Sequence, residues 1–318
     1  MRNLLTLGEI QVSQAASDAL RTLGVSLDEL LHRHQSGDWM EEGEDAQRHN
    51  EFAAEHGLLV ATEYELTDEQ GILIVTAQDR SHTSVLLPNE FQHKEIGVIE
   101  GYARWADRYD HWKNPLTAVE EPVVIELLQD LRFNTVLDIG AGTGRHAVRL
   151  ARQGVLAIGC DLSRDMLKVA HSKISNGNSL SLVQASTEAS LPFPQESFDL
   201  VLCALVLSHV QNLQKCVQEF ARVQTKPGNC LISAFHPDAI STAGWRTSLQ
   251  ETDALYRLPN MSHTREDYMD AFQVAGYKIR QTIDLRVRDV PEGHFPPEMV
   301  AKNGDKGFCL IVLAELAE

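Results

Sequence analysis

The period of the apolar positions changes near residue 95. Before it, apolar residues at three- and four-residue steps predict helices over Val12–Leu23 and Leu27–His34, with Ser26 as the N-cap of the second. The polar run 36–57 continues as loop and then helix. Alternating stretches at Leu58–Leu66, Ile72–Thr76 and Thr83–Leu87 read as strands, separated by the turn-forming TDEQG and DRSH. After residue 95, strands and helices alternate with short links. Helix Val119–Leu131 leads into the apolar strand Thr135–Ile139. Strands at 155–160, 179–184, 198–204 and 230–235 then alternate with helices at 145–153, 163–175 and 213–223, and two last strands fall at 278–290 and 307–316. Such alternation predicts a parallel sheet covered on both faces, and the unbroken apolar run DLVLCALVL suits a strand buried on both sides. The expected fold is α/β: a seven-stranded, doubly wound, Rossmann-like sheet in a domain spanning 96–318, preceded by a small α+β domain over 1–95.

Composition narrows the partners. The chain of 318 residues carries a net charge of −17, and Met1–Glu95 holds 18 Asp or Glu against 6 Lys or Arg. That balance disfavours phosphate-driven nucleic-acid binding, which needs clustered Lys and Arg. It gives the first domain an acidic face, read as a solubilising surface or as a site for a basic protein partner. Five cysteines show neither a CxxC pair nor metal-ligand spacing, so no metal is expected and the thiols read as reduced. The N-terminus lacks the pattern of a signal peptide. The longest apolar stretch, Leu200–Leu207, is far short of the roughly 20 residues that span a bilayer. A cytoplasmic protein without membrane contact is the expectation.

The segment VLDIGAGTG places Gly140, Gly142 and Gly144 directly after a strand and before a helix. Glycine lets backbone turn tightly and approach a ligand without a Cβ in the way, and the helix N-terminus behind it points N–H groups outward. Asp138 precedes the first glycine by two positions, and Asp161 ends the next strand, where a carboxylate can accept both hydroxyls of a ribose. Here the chain resembles the class I S-adenosylmethionine-dependent methyltransferases, in their small-molecule branch that includes ubiquinone-pathway enzymes. Val136–Gly144 is similar to the first motif of that family and Asp161 with LSRDML to the second. LPFPQESFD, ALVLSHV and EFARVQTKPG follow in family order. The first ninety residues loosely resemble a small bacterial domain of unassigned role, chiefly in TAQDRSHTSVLLPNEF, and no mechanism follows from that.

The methyltransferase resemblance implies S-adenosyl-L-methionine as cofactor. It places Asp138 near the methionine ammonium, the loop Gly140, Ala141, Gly142 and Gly144 along the cofactor, and Asp161 on the ribose. It sets Leu162 and Met166 beside the adenine and Ala204 in the adjoining wall. Where the family often has Asp, this chain has Ser186, so Ser186 or Thr187 is expected to meet the adenine amino group. Tyr102, Trp105, Tyr109 and Trp112 recur at helical steps, as a lid would require, with Tyr102 and Tyr109 against the cofactor; an aromatic face also suits a sulfonium. Trp245 and Tyr268 lie in an insertion expected to cover the substrate. His236, at the end of a strand, His209 and His263 are the candidate catalytic bases; each also reads plainly as a hydrogen-bonding partner.

The expected reaction moves a methyl group to an oxygen or nitrogen of a small molecule. A nicotinamide oxidoreductase is disfavoured, because Asp138 stands where that fingerprint keeps an apolar residue. DNA amino-methylating enzymes carry an Asn- or Asp-Pro-Pro-aromatic tetrapeptide where this chain reads Cys203-Ala204-Leu205-Val206. The alternatives that stay open are an RNA- or tRNA-modifying methyltransferase and a non-catalytic cofactor-binding or interaction protein.

Overall fold

The computed structural model describes residues 3–40, 43–175 and 179–317. Two compact units emerge. The smaller comprises Met1–Glu95, Ser248–Arg257 and Glu292–Pro296; the larger comprises Ile96–Thr247, Leu258–Pro291 and Pro297–Glu318.

The smaller unit begins with β1 (Glu9–Val12), α1 (Gln14–Leu23), α2 (Leu27–Ser36) and α3 (Glu44–Glu55), followed by β2 (Val60–Thr67), β3 (Gln70–Thr76), β4 (His82–Leu86) and β5 (Gln92–Glu95). Ser13 and Ser26 cap α1 and α2 by accepting backbone N–H groups, and Gly24 and Gly37 end them in the left-handed conformation. Strands β2, β3 and β4 form an antiparallel meander with β1 added in parallel beside β4. Ala16, Leu20 and Leu30 pack on Tyr64, Ile72, Ile74 and Val85. The short strands β1 and β5 escape the sequence pattern because they are largely exposed and have no buried face to impose a period of two.

The larger unit runs α4 (Val98–Trp105), α5 (Pro115–Asp130), β6 (Thr135–Ile139), α6 (Arg145–Arg152), β7 (Leu156–Asp161), α7 (Arg164–Ser172), β8 (Leu180–Gln184), β9 (Phe198–Ala204), α8 (Leu213–Val223), β10 (Gln224–Phe235) and α9 (Pro237–Ser241). The chain then lends β11 (Ser248–Gln250) and β12 (Ala254–Arg257) to the smaller unit, in a sheet ordered β11-β12-β5. It continues through α10 (Arg265–Val274), β13 (Tyr277–Arg286), α11 (Pro297–Asn303) and β14 (Gly307–Leu316).

The seven-stranded sheet has the order β13-β14-β10-β9-β6-β7-β8. Strands β10, β9, β6, β7 and β8 pair in parallel, and β14 is antiparallel to both β10 and β13, so six of the seven strands run in one direction. Asp199 locks the start of β9 to β6 by accepting the N–H groups of Asn134 and Thr135 at 2.8 and 3.0 Å. The LPFP turn is clamped from α8. Arg222 donates to the carbonyls of Leu191 and Phe193, and Glu219 accepts the Leu191 N–H at 2.8 Å. Two of the motifs that carry the sequence resemblance thus hold each other in place. Among the described residues, no helix is long and apolar enough to cross a membrane, and no group of three or more His, Cys, Asp or Glu could hold a metal.

Candidate cofactor site

Reading outward from β6, the chain goes to β7 and β8 on one side and to β9 and β10 on the other. Open α/β sheets hold ligands beyond the strand C-termini at such a switch point. A cavity of about 180 Å³ lies there, within the larger unit.

The β6–α6 loop forms its floor. Gly140, Gly142 and Gly144 have φ of +70°, +55° and +81°, a region costly for any other residue. The N–H groups of Gly140 and Ala141 donate to the Cys160 carbonyl at 2.7 and 2.9 Å, tying the loop to the end of β7. The three glycines serve different ends. A Cβ at Gly140 would overlap the Val206 side chain. At Gly142 it would meet nothing nearer than the Gly140 carbonyl, at 4.0 Å, so this backbone faces the cavity bare. Gly144 caps α6 and would press on Val148 at 2.8 Å; like the buried Ala141, it does not line the cavity.

Asp161 and Asp138 end neighbouring strands in different surroundings. Asp161 lines the cavity. One carboxylate oxygen accepts the Gly142 N–H at 2.8 Å and the other the Ser163 N–H at 2.7 Å, which holds the side chain at the loop. Burial raises its pKa, opposed by these backbone donors. Asp138 is 1% exposed, accepts the Ala147 N–H at 3.0 Å and lies behind the loop, outside the cavity lining. That hydrogen bond braces the first turn of α6. Burial pushes its carboxyl up to about 6, with His146 and Arg145 opposing. Nearby, the fully buried Glu120 pairs with Arg145 at 2.7 Å and accepts the Ser233 hydroxyl at 2.8 Å. Burial alone would raise Glu120, but Arg145 and His146 bring it down to about 2.

Leu162, Met166, Ser186, Thr187 and Ala204 line the cavity, as do Tyr102 and Tyr109. The four aromatics do not share one helix face as their spacing suggested, because α4 ends at Trp105 and a tight turn follows at 106–108. The rings still cluster around Trp105, at 6.1 Å from Tyr102, 5.2 Å from Tyr109 and 6.0 Å from Trp112. Trp105 is buried in this cluster, and neither it nor Trp112 lines the cavity. The other two lid candidates lie elsewhere: Trp245 packs edge-on against Phe308, and Tyr268 is fully buried in the main core.

Of the three histidines only His209 lines the cavity. His236 caps α9: its Nδ1 accepts the Asp238 N–H, its Nε2 meets Asp284 at 3.1 Å, and its ring lies where a side chain at Gly307 would stand. Both nitrogens are therefore occupied away from the cavity. His263 donates from Nε2 to the Val210 carbonyl at 2.6 Å and packs edge-on against Tyr268. Sequence reasoning passed over Val98, Cys160 and Ala185, and also Glu188, Leu205, Val206 and Val210, all of which line the cavity. The apolar ones look like core positions in sequence. Leu205 has φ +61°, a strained backbone held by its N–H donating to the Ser233 carbonyl.

Residues 137–232 match the family model described as a methyltransferase domain. That stretch of the larger unit is similar to methyltransferase domains. The match runs from β6 to β10 and takes in the glycine loop, Asp161 and His209; Tyr102 lies outside it. The uncharacterized methyltransferase YcgJ of Bacillus subtilis is 34% identical over 164 residues, 51% of this chain, and the chain spans 60% of that protein's length. The ubiquinone biosynthesis O-methyltransferase of Escherichia coli is 26% identical, covering 67% of this chain and 89% of its own. An S-adenosylmethionine dependent methyltransferase from Mesorhizobium loti shares the fold, with a TM-score of 0.51 at 20% identity over 64% of this chain and 100% of that one.

Proposed function

We propose that this protein is an S-adenosylmethionine-dependent methyltransferase acting on an oxygen or nitrogen of a small molecule. The observation that carries the reading is the bare Gly142 backbone facing the same cavity as Asp161, whose carboxylate is already oriented by two backbone donors. In this reading Asp161 accepts the ribose hydroxyls, Gly140 and Gly142 lie along the cofactor, and Leu162 and Met166 flank the adenine. The hydroxyl of Ser186 or Thr187 serves the adenine amino group, and Tyr102, Tyr109 and Ala204 form the wall beside the sulfonium. When bound, S-adenosylmethionine supplies an electrophilic methyl group on a positively charged sulfur. The chain supplies position: in well-oriented cases proximity alone is worth about 7–11 kcal/mol of barrier. His209 is the base candidate with a ring nitrogen at the cavity.

A small acceptor is favoured because, among the described residues, no Lys or Arg lines the cavity, as a phosphate backbone would require. We further propose a cytoplasmic location, with the acidic face of the smaller unit serving as a solubilising surface or as a site for a basic protein partner. Calorimetric titration with S-adenosylhomocysteine tests the central reading. Wild type should bind, and Asp161→Ala should lose roughly tenfold or more in affinity, the worth of a charged hydrogen bond. Equal affinities would remove the ribose assignment.

A further inference from the structure

His209 and Tyr102 meet inside the cavity in a way that a cofactor site alone does not require. The His209 Nδ1–H donates to the Pro259 carbonyl at 2.7 Å. A carbonyl oxygen only accepts, so this contact selects the Nδ1–H tautomer of the neutral ring and leaves a lone pair on Nε2. Tyr102 Oη lies 3.1 Å from that Nε2, with the rings edge to face at 86°. Burial holds the imidazole below its ordinary pKa, partly opposed by Pro259, and holds the Tyr102 hydroxyl well above its own. The contact is therefore a neutral phenol donating to a neutral imidazole. The wall around it is aliphatic, with Val98, Val206 and Val210. The charged side chains lining the cavity among the described residues are Asp161 and Glu188, both carboxylates, so an anionic acceptor would find no counter-ion here.

We propose that the Tyr102 hydroxyl occupies the place of the acceptor's own hydroxyl, and that the acceptor is an uncharged phenol-type compound that displaces Tyr102 and gives its proton to His209 Nε2. The inference rests on the methyltransferase reading. The acceptor oxygen forms its bond to the methyl carbon with its own lone pair. The carbon–sulfur bond breaks with its electron pair going to sulfur, which becomes a neutral thioether. The hydroxyl proton moves to Nε2, and the imidazolium then releases it to solvent. A phenol, with an acidity near that of tyrosine at about 10, is within reach of such a base in a concerted step. A protonated alkylamine has no lone pair to offer.

The test uses the full chain saturated with S-adenosylhomocysteine and a matched pair of probes, 2-naphthol and 2-naphthoate, titrated by calorimetry. Expected are binding of the naphthol with the naphthoate roughly tenfold weaker or worse, and several-fold tighter naphthol binding in Tyr102→Phe, where the internal donor is gone. His209→Asn keeps a donor toward Pro259 but has no Nε2. With S-adenosylmethionine it should lower methylation of 2-naphthol at pH 7 by about 10²-fold, and recover as the pH nears the naphthol's own pKa. A purely structural role for His209 would give a deficit flat in pH. Naphthoate binding as well as naphthol, no gain in Tyr102→Phe, or a pH-independent deficit in His209→Asn each overturn the proposal. If wild type does not bind S-adenosylhomocysteine at all, it is the methyltransferase reading that falls.

Discussion

Asp138 and Asp161 look equivalent in sequence, each a carboxylate at the end of a strand, and their surroundings give them different work. Asp138, buried and raised to about 6, keeps a proton in the folded protein that the unfolded chain, near 3.8, has lost. Between pH 4 and 6 its contribution to stability therefore falls as pH rises, by about 3 kcal/mol in all, and the penalty persists above 6. Asp138→Asn should accordingly gain on wild type in urea midpoint from pH 4 to pH 7, whereas a difference independent of pH would deny that the carboxylate is strained there. Part of the cavity lining was legible: Gly140, Gly142, Asp161 and His209 carry motif spacing or polar chemistry. Val98, Val206 and Val210 were not, since an aliphatic side chain facing a cavity reads like one facing a core. The surroundings of His236 were not legible either, because its partner Asp284 comes from β13 and no local pattern announces that pairing.

The glycine loop shows what an element adds to its residues. Gly142→Ala places a methyl group toward the cavity at φ +55°, so it should lose cofactor affinity in calorimetry while costing about 1–2 kcal/mol of stability. Gly140→Ala should cost more, because its methyl overlaps Val206. Adding Val206→Ala should restore part of that loss, with a coupling of about 0.5–3 kcal/mol in a double-mutant cycle; strict additivity would show that the two do not touch. The clamp between Glu219, Arg222 and the LPFP turn is a second case. Glu219→Ala removes a charged acceptor from the Leu191 N–H and should lower stability by about 1.5–3 kcal/mol in urea unfolding. The strands of the sheet were legible because burial on both faces writes a continuous apolar run. The end of α4 was not, since the aromatic spacing continues past the point where the helix stops.

At the scale of the whole chain, sequence suggested a boundary at 95, and the smaller unit also draws in Ser248–Arg257 and Glu292–Pro296. Its strand β12 pairs residue by residue with β5, Ala254 with Gln92 through Arg257 with Glu95. A chain starting at residue 96 would leave β12 without that partner. Hydrogen exchange over Ala254–Arg257 should then accelerate, while β6 and β9 keep their protection; unchanged exchange at β12 would mean that the pairing contributes nothing. The sheet of the larger unit carries a consequence of its own. Its strand β14 sits between β10 and β13, yet follows both in the chain. A ribosome making this protein delivers β10 with one edge unpaired and β13 with no neighbour, and both wait through the emergence of Gly307–Leu316 before the ladder can close. Until then the nascent chain presents the kind of open edge that invites mispairing and that chaperones shield.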